Sequence, residues 1–155
     1  MSKSEAMTTE QDFYAPNIRL IHPEIVAGRW QDDYAEFVQQ ALDKASGTFE
    51  DIEALYDMVQ MDQAWVLEIC TGQDLVALAI VELSDCPDGQ VLHVHTLGGE
   101  GMDFWLEIFI EYLQEMAKGL NCIGVTCTGR MGWQRVLKKH GFIPQYVNMR
   151  LGGLG

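Results

Sequence analysis

Basic residues are scarce in this sequence, and their scarcity limits the partners that the chain can have. Only 10 lysines and arginines stand against 23 aspartates and glutamates, which gives a formal net charge of -13 at pH 7. A chain with this charge repels nucleic acid and anionic lipid, and it favours neutral or cationic partners. We therefore expect no nucleic-acid or membrane partner. The same charge opposes the binding of any polyanionic cofactor.

Closely spaced cysteines and long apolar runs are also missing. The sequence holds four cysteines: Cys70, Cys86, Cys122 and Cys127. No two of them have Cys-x-x-Cys spacing, and the polar, acidic start does not resemble a signal peptide, so we expect free thiols in a reduced cytoplasmic protein. The longest apolar runs, such as Leu75–Val81, are too short to span a bilayer.

The residues that are present suffice for one domain. The chain has 155 residues, of which 48% are hydrophobic, and this is enough for a single core. Residues 1–16 are predicted to form a flexible tail, and residues 17–152 a single domain. Apolar periodicity predicts the element order β-α-α-β-β-β-α-β-α-β.

The first part of this order is a strand followed by two helices. Ile18–Ile21 is predicted as a strand. A helix should follow over about Glu24–Lys44, with Gly28 as the point at which it could divide and Gly47 as its C-terminal glycine. Thr48 is predicted to cap the second helix, because acidic residues follow it in the first turn.

Three β-prone segments come next, joined by short turns. They are Ala64–Cys70, Leu75–Leu83 and Val91–Leu97. The turns at 71–74 and 86–89 are rich in glycine, aspartate and proline, which is typical of hairpins. The sequence therefore predicts an antiparallel meander.

The last part alternates helices and strands. A first apolar stripe at helical spacing predicts a helix that ends at Gly119, formed by Trp105, Ile108, Phe109, Tyr112, Leu113 and Met116. A second stripe predicts a helix that ends at Gly141, formed by Trp133, Val136, Leu137 and His140. Ile123–Thr126 is predicted as a strand between them, and Phe142–Leu151 as the last strand or strands.

Two segments resemble a known family. Val91–Leu106 reads as a strand, a glycine loop and a helix, and Gly129–Phe142 reads as a helix that ends in Gly-Phe. In this order and spacing they resemble the GCN5-related N-acetyltransferases (GNAT), and they are similar to the divergent versions that tailed bacteriophages encode. The resemblance covers about Ile18–Leu151. It implies an α/β (α+β) three-layer fold, in which a mixed, mostly antiparallel sheet carries helices on both faces.

The resemblance also implies a cofactor and a place for it. GNAT enzymes transfer an acetyl group from acetyl-CoA to an amine, and its pyrophosphate lies on the glycine loop. The positions that this implies are Leu97, Gly98, Gly99, Glu100, Gly101 and Met102. A glycine loop before a helix suits a pyrophosphate because the free N–H groups of the helix start can be approached closely. Two residues depart from the family pattern: Gly98 replaces an arginine or glutamine, and Asp103, which would repel a phosphate, replaces a glycine or alanine.

Candidate catalytic residues lie on the strand before this loop. His93 and His95 are two residues apart, so they share a face of the strand, and either could take the proton of the amine. The alternative is a pair of partly buried histidines with structural hydrogen bonds. Cys86 could add a metal ligand, but the spacing matches no known metal site, and we expect no metal. Leu137 stands where the family often has a tyrosine that protonates the thiolate.

Other polar and aromatic residues leave two interpretations open. Glu68 and Glu82 could hold an amine, or they could be solvated strand residues. A basic cluster could meet the 3′-phosphate of coenzyme A or an acidic partner, or could simply be a solvated face, and it consists of Arg130, Arg135, Lys138 and Lys139. The tryptophans at 65, 105 and 133 are expected to anchor the core.

Two functions follow from these observations. The first is an acetyltransferase that acts on a small-molecule amine or a lysine-containing protein. The second is a catalytically degenerate phage protein on the same fold, which acts as a virion component or a host-interaction factor and binds phage structural proteins. Either protein would lie in the host cytoplasm or the virion, and a C-terminal strand could pair two copies into a homo-oligomer.

Overall fold

One five-stranded sheet with helices on both faces forms the body of the protein. The computed structural model describes residues 15–44, 51–128 and 131–145. The strands are β1 Pro16–Ile21, β2 Trp65–Thr71, β3 Asp74–Cys86, β4 Gly89–Gly99 and β5 Val125–Cys127. The helices are α1 Pro23–Arg29, α2 Ala35–Lys44, α3 Ile52–Gln60, α4 Met102–Gly119 and α5 Met131–Lys138, and a π-helical turn, Trp30–Tyr34, joins α1 to α2.

The strands lie in the order in which they occur in the chain. β1 to β4 form an antiparallel meander, and β5 pairs in parallel with the outer edge of β4. The crossover from β4 to β5 passes through α4, as a parallel connection requires. The sheet is therefore mixed and mostly antiparallel with helices on both faces, which confirms the predicted fold class.

The two faces of the sheet bury separate hydrophobic cores. One core packs the strands against α4 and is centred on Trp105 and Phe109, whose rings meet edge to face at 5.9 Å. The other packs Val66, Leu78 and Ile80 against α1, α2 and α3. Alternate residues of each strand feed the two cores, because side chains on a strand point to opposite faces.

The first helical region differs from its prediction. The helix runs through the exposed Gly28 without a break. The irregularity comes directly afterwards, where the Ala35 N–H donates to Trp30 O and closes a π turn. α3 begins at Ile52, and its N-cap is Asp51, whose carboxylate accepts from the Ala54 N–H. The predicted cap at Thr48 is therefore wrong, because the N-cap lies three residues later, at Asp51.

The two C-terminal helices confirm most of their predicted residues. α4 ends at Gly119 as predicted, and Trp105, Phe109 and Leu113 are buried. Ile108 is 39% exposed, so its place in the buried stripe was wrong; Leu106 and Ile110 are buried on the flank of the helix instead. His140 is exposed beyond the end of α5, which also corrects its prediction.

Some predictions fall outside the described residues. These are the tail up to residue 14, Gly47 and Thr48 themselves, Arg130, and the last strand from residue 146 onward. Residues 142–145 have no regular secondary structure, although Phe142 packs against the core under α4. Of the helices in the described ranges, none is long and apolar enough to cross a membrane.

Candidate functional site

A β-bulge in β4 shapes the candidate site. Val81 on β3 pairs with Val94 and Ile80 pairs with Thr96, so that β4 has one more residue than β3 at this point, His95. The bulge shifts the alternation of β4 by one residue. Leu92 and Val94 face α4 before it, and Leu97 faces α4 after it. Bulges often lie beside functional sites, because they redirect side chains and interrupt pairing.

β4 and β5 separate at this bulge. Their parallel pairing covers only Leu92–Val94 against Val125–Cys127. Within the described ranges, no strand pairs with the stretch 96–99 of β4 on the side of β5. This stretch lies at the point where β4 leads into α4.

His93 lies where the two strands are still paired. Its Nδ1 is 2.8 Å from Thr126 Oγ1, and its Nε2 is 3.4 Å from Thr128 Oγ1. Burial, and then the neighbouring His95, lower the pKa of the His93 imidazole below 6.5. Both effects favour the neutral ring, in which one nitrogen can accept a proton.

His95 is the residue of the bulge, and its ring lies close to that of His93. The ring centroids are 6.4 Å apart, and His95 Nδ1 is 3.0 Å from Thr96 Oγ1. The two histidines are therefore neighbours, as the sequence predicts. In the parts of the chain that the structure describes, no three potential ligands form a metal-binding group. The exposed Cys86 belongs to the far hairpin end of β3, where it pairs with Gly89.

Two glycines of the predicted cofactor loop are required by the fold itself. A Cβ at Gly98 would lie 2.8 Å from Phe37 O and 3.0 Å from Ala41 Cβ, so α2 packs directly on this residue. A Cβ at Gly99, whose φ is +142°, would lie 2.4 Å from Ala77 Cα on β3. Neither position has room for a side chain, with or without a ligand, and these two glycines alone are not evidence for a phosphate site.

The rest of the loop leads into α4 and is more open. Gly101 is the N-cap of α4, with φ 74° and ψ 30°, and it makes no side-chain capping bond. A Cβ there would approach only the Trp105 indole, at 3.8 Å. Glu100 fixes the loop, because its N–H donates to Val76 O at 3.0 Å and its carbonyl accepts from Trp105 Nε1 at 2.7 Å. Asp103 is exposed in the first turn.

The remaining predicted cofactor residues contribute to the core. Leu97 is buried in the core under α4, and Met102 packs against the same core. Leu137 on α5 also packs against it, and no acid stands at that position. Tyr112 is partly buried on α4, where burial raises its pKa, so it is a weak acid. The segment Met131–Lys138 that forms α5 contains no tyrosine that could protonate a thiolate.

Glu68 has a role that the sequence analysis missed. It is 2% exposed, and its Oε2 accepts from Arg29 Nη1 and from the Tyr34 hydroxyl, each at 2.6 Å. Arg29 also pairs with Asp33 at 2.7 Å. Arg29 and Tyr34 are five residues apart, and the π turn between them brings both to the same carboxylate. Glu68 is neither solvated nor free for an amine. The signal for this was a single carboxylate within an apolar strand, which must find a partner when it is buried.

A second concave surface lies elsewhere, between α1 and α3. It is a shallow cavity of about 240 Å³, and none of its lining residues belongs to β4 or α4. Its lining includes Glu53 and the rings of Trp30 and Tyr56, whose centroids are 5.0 Å apart. Because the rings touch each other, no slot for a cation remains between them.

The predicted basic cluster and core tryptophans can also be placed. Arg135, Lys138 and Lys139 are exposed at the end of α5. Trp105 is buried in the core as predicted, and Trp65 and Trp133 pack partly buried against it.

Comparison with known proteins identifies the fold. No protein-family model and no curated protein sequence matches the chain. A predicted acetyltransferase from Clostridium acetobutylicum, solved with acetyl-CoA, matches with a TM-score of 0.64 and 14% identity, over 88% of this chain and 96% of its own. The ribosomal-protein-alanine N-acetyltransferase from Brucella melitensis biovar Abortus 2308 matches with a TM-score of 0.64 and 14% identity, over 90% and 100%. An aminoglycoside acetyltransferase from an uncultured soil metagenomic sample, in complex with sisomicin, matches with a TM-score of 0.63 and 10% identity, over 92% and 98%.

These matches cover nearly the whole of each solved chain. At such low identity they show the fold alone, and the chain has the fold of the GNAT acetyltransferases.

Proposed function

We propose that this protein is an acetyl-CoA-dependent N-acetyltransferase that acts on a cationic amine. The proposal depends on one observation: in the part of the chain that the structure describes, the stretch 96–99 of β4 has no β5 partner beyond the bulge and leads directly into the start of α4. An unpaired strand edge offers hydrogen bonds to amides, and a helix start offers N–H groups and a partial positive charge to phosphates. Acetyl-CoA contains both kinds of group. The fold shared with an acetyltransferase that was solved with acetyl-CoA supports the proposal.

The described residues fit this cofactor. The open edge of β4 would hold its amide groups, and the N–H groups of Met102 and Asp103 would hold its pyrophosphate. Gly101 leaves space for a close approach, because a Cβ there would meet nothing nearer than 3.8 Å. The Asp103 carboxylate opposes the phosphates, but it is exposed and therefore screened by water. When bound, acetyl-CoA supplies the acetyl group as a thioester.

His93 is the proposed base. An amine is protonated at pH 7, and it must lose a proton before it can attack a thioester. The neutral His93 ring can take that proton on Nε2, the nitrogen that faces the exposed Thr128. His95, whose Nδ1 is engaged by Thr96, is the second candidate. With Leu137 in the core, α5 would offer no tyrosine to the departing thiol, which would then take its proton from solvent.

The charge of the chain indicates the class of acceptor. A net charge of -13 attracts cationic amines, such as aminoglycosides, polyamines or lysine-rich proteins. The neighbour solved with sisomicin is an aminoglycoside acetyltransferase, which makes this class the first to test.

Calorimetry with acetyl-CoA and an acetyl-transfer assay test the proposal. Folded protein should give heat with acetyl-CoA and should release free thiol in the presence of sisomicin, spermidine or a lysine-rich peptide. His93→Asn should bind acetyl-CoA as before but lose most of the thiol release. If acetyl-CoA at millimolar concentration gives no heat, the proposal is wrong.

The alternative prediction, a non-catalytic phage protein, draws on Gly98, Asp103 and Leu137. All three residues are unfavourable at positions where the family resemblance implies cofactor binding or acid catalysis. Mass spectrometry of purified phage particles would test the virion role. Phage origin, cytoplasmic location and homo-oligomer formation stay predictions.

A further inference from the structure

Thr126 on β5 lies within hydrogen-bond distance of the His93 ring, with its Oγ1 2.8 Å from Nδ1. We propose that Thr126 Oγ1 accepts the Nδ1 proton of His93, so that the lone pair lies on Nε2. Thr126 is then a positioning residue, since it acts through His93 and not on the substrate. The catalytic consequence rests on the proposed function, but the position of the proton can be measured without any activity.

The backbone holds the two side chains together. His93 and Thr126 are register partners in the short parallel ladder between β4 and β5. Two backbone bonds fix this ladder just before the pair, from the Leu92 N–H to Gly124 O at 3.0 Å and from the Ile123 N–H to Gln90 O at 2.8 Å. Side chains at paired positions lie on the same face of a sheet, so the imidazole and the hydroxyl meet without distortion.

The two ring nitrogens of His93 are not equivalent. Nδ1 is 2.8 Å from the partly buried Thr126 hydroxyl, whereas Nε2 is 3.4 Å from the hydroxyl of the exposed Thr128. The first distance is that of a good hydrogen bond, and the second is beyond the usual range. The stronger bond therefore lies on the inner side of the ring, and Nε2 points to the side where β4 and β5 separate.

This difference decides whether His93 can work as a base on that side. A neutral imidazole in water prefers to carry its proton on Nε2, and in that form Nε2 cannot take another. A histidine that donates Nδ1–H to a fixed oxygen adopts the opposite tautomer. Thr126 therefore supplies the acceptor that leaves Nε2 free to take the proton of an amine.

A purely structural role for the pair makes a different prediction. If the Thr126 hydroxyl only joins the two strands, it could equally donate to Nδ1, and Nε2 would then carry the proton. Thr126→Val keeps the shape of the side chain and removes the hydroxyl. Thr126→Ser keeps the hydroxyl, and Thr128→Val removes the more distant hydroxyl as a matched control.

Long-range ¹H–¹⁵N spectra of the full chain test the inference, recorded at about pH 7.5, where the His93 ring is neutral. His93→Asn assigns the signals. We expect the wild type, Thr126→Ser and Thr128→Val to carry the proton on Nδ1, and Thr126→Val to move it to Nε2. A wild-type proton on Nε2 overturns the inference, even if Thr126→Val fails to fold. An unchanged tautomer in folded Thr126→Val also overturns it.

An activity measurement links the tautomer to the proposed function. If the enzyme transfers acetyl groups, Thr126→Val should lower kcat at least about tenfold with KM for acetyl-CoA unchanged, and Thr126→Ser should restore it. An inactive wild type with the proton on Nδ1 would contradict the proposed function but support the positioning by Thr126. An active enzyme with the proton on Nε2 would support the proposed function but contradict the positioning by Thr126.

Discussion

Alanine at Gly101 should weaken acetyl-CoA binding and leave the sheet intact. Gly101 precedes α4 with φ 74°, and a Cβ there would approach only the Trp105 indole, at 3.8 Å. Gly141 is a matched control, because its φ is 92° and a Cβ there would meet no atom within 4 Å. Gly99 is the opposite case, because a Cβ there would lie 2.4 Å from Ala77 Cα.

The magnitudes follow from these geometries. An L-residue in the left-handed region costs about 1–2 kcal/mol, and the reduced freedom of the unfolded chain offsets about 0.4–1 kcal/mol of this. Gly101→Ala and Gly141→Ala should therefore each lower the free energy of unfolding by about 1 kcal/mol. Gly99→Ala should cost about 3 kcal/mol or more, because the contacting atoms belong to the β3 backbone and must move.

Urea denaturation and calorimetry measure the two effects separately. Gly101→Ala should raise the Kd for acetyl-CoA about tenfold or more, since the methyl group stands between the ligand and the helix N–H groups; tenfold corresponds to about 1.4 kcal/mol. Gly141→Ala should leave this Kd unchanged. Equal Kd values for these two variants would refute the assignment of the pyrophosphate to the loop. Equal stabilities of Gly99→Ala and Gly141→Ala would refute the close packing of β4 on β3.

Three further predictions concern charged and titrating side chains. Asp103→Asn should lower the Kd for acetyl-CoA measured by calorimetry. The reason is that a carboxylate about 5 Å from a phosphate costs roughly 3 kcal/mol at an effective dielectric of ~20, and about 1 kcal/mol in water. Glu107→Gln, one turn further along α4, should show no such gain in affinity. Glu68→Gln should lower the free energy of unfolding, measured in urea, by about 2 kcal/mol. Glu115→Gln, in an exposed ion pair, should change it by less than about 0.5 kcal/mol. Equal losses in the two variants would contradict a stabilising role for the buried Glu68 carboxylate. Because burial lowers the pKa of His93 in the folded state, the unfolded chain binds this proton first, and the free energy of unfolding should fall as the pH decreases through about 6.5. In urea titrations at several pH values, His93→Gln should show a weaker fall. An identical pH dependence of the variant and the wild type would contradict the burial of a neutral His93 ring.

Local patterns predicted the meander well, because its strands alternate and its turns are short. The turn residues at 71–74 and 86–89 join the strands as the sequence indicates. The predicted end of β3 at Leu83 was three residues too early. The structure continues the strand to Cys86, since β3 and β4 stay paired up to the two-residue turn at Pro87-Asp88.

The bulge and the π turn lie beyond such patterns. The bulge and the π turn each arise from one additional residue. That residue changes the direction in which the following side chains point, and this is visible only once the packing of the elements is known. In the sequence of β4, the bulge is visible only in the spacing of the buried residues Leu92, Val94 and Leu97, which changes from two residues to three. Without the partner strand, that spacing cannot be told from a strand that simply ends. The π turn has a similar effect, since its reason is the meeting of Arg29 and Tyr34 at Glu68, on a strand far along the chain.

The glycine loop shows a different limit of sequence reasoning. A glycine is retained wherever a Cβ does not fit, whether the obstacle is a ligand or the protein itself. Gly98 and Gly99 are explained by α2 and β3, and only Gly101 has open space beside it. The loop sequence therefore suggested three glycines for a phosphate, while close packing accounts for two of them and leaves only Gly101 with open space beside it.

The same packing accounts for the departure at Gly98 from the family pattern. An arginine or glutamine there would have to displace α2, because Phe37 O and Ala41 Cβ lie 2.8 Å and 3.0 Å from the position of a Cβ. With no side chain available at this position, any pyrophosphate on the loop would depend on the backbone N–H groups and the dipole of α4. That attraction is weaker than a bidentate arginine contact, and in a chain of charge -13 it acts against a repulsive field. Binding on these terms needs the open strand edge as well, since hydrogen bonds to the amide groups of the cofactor do not depend on charge.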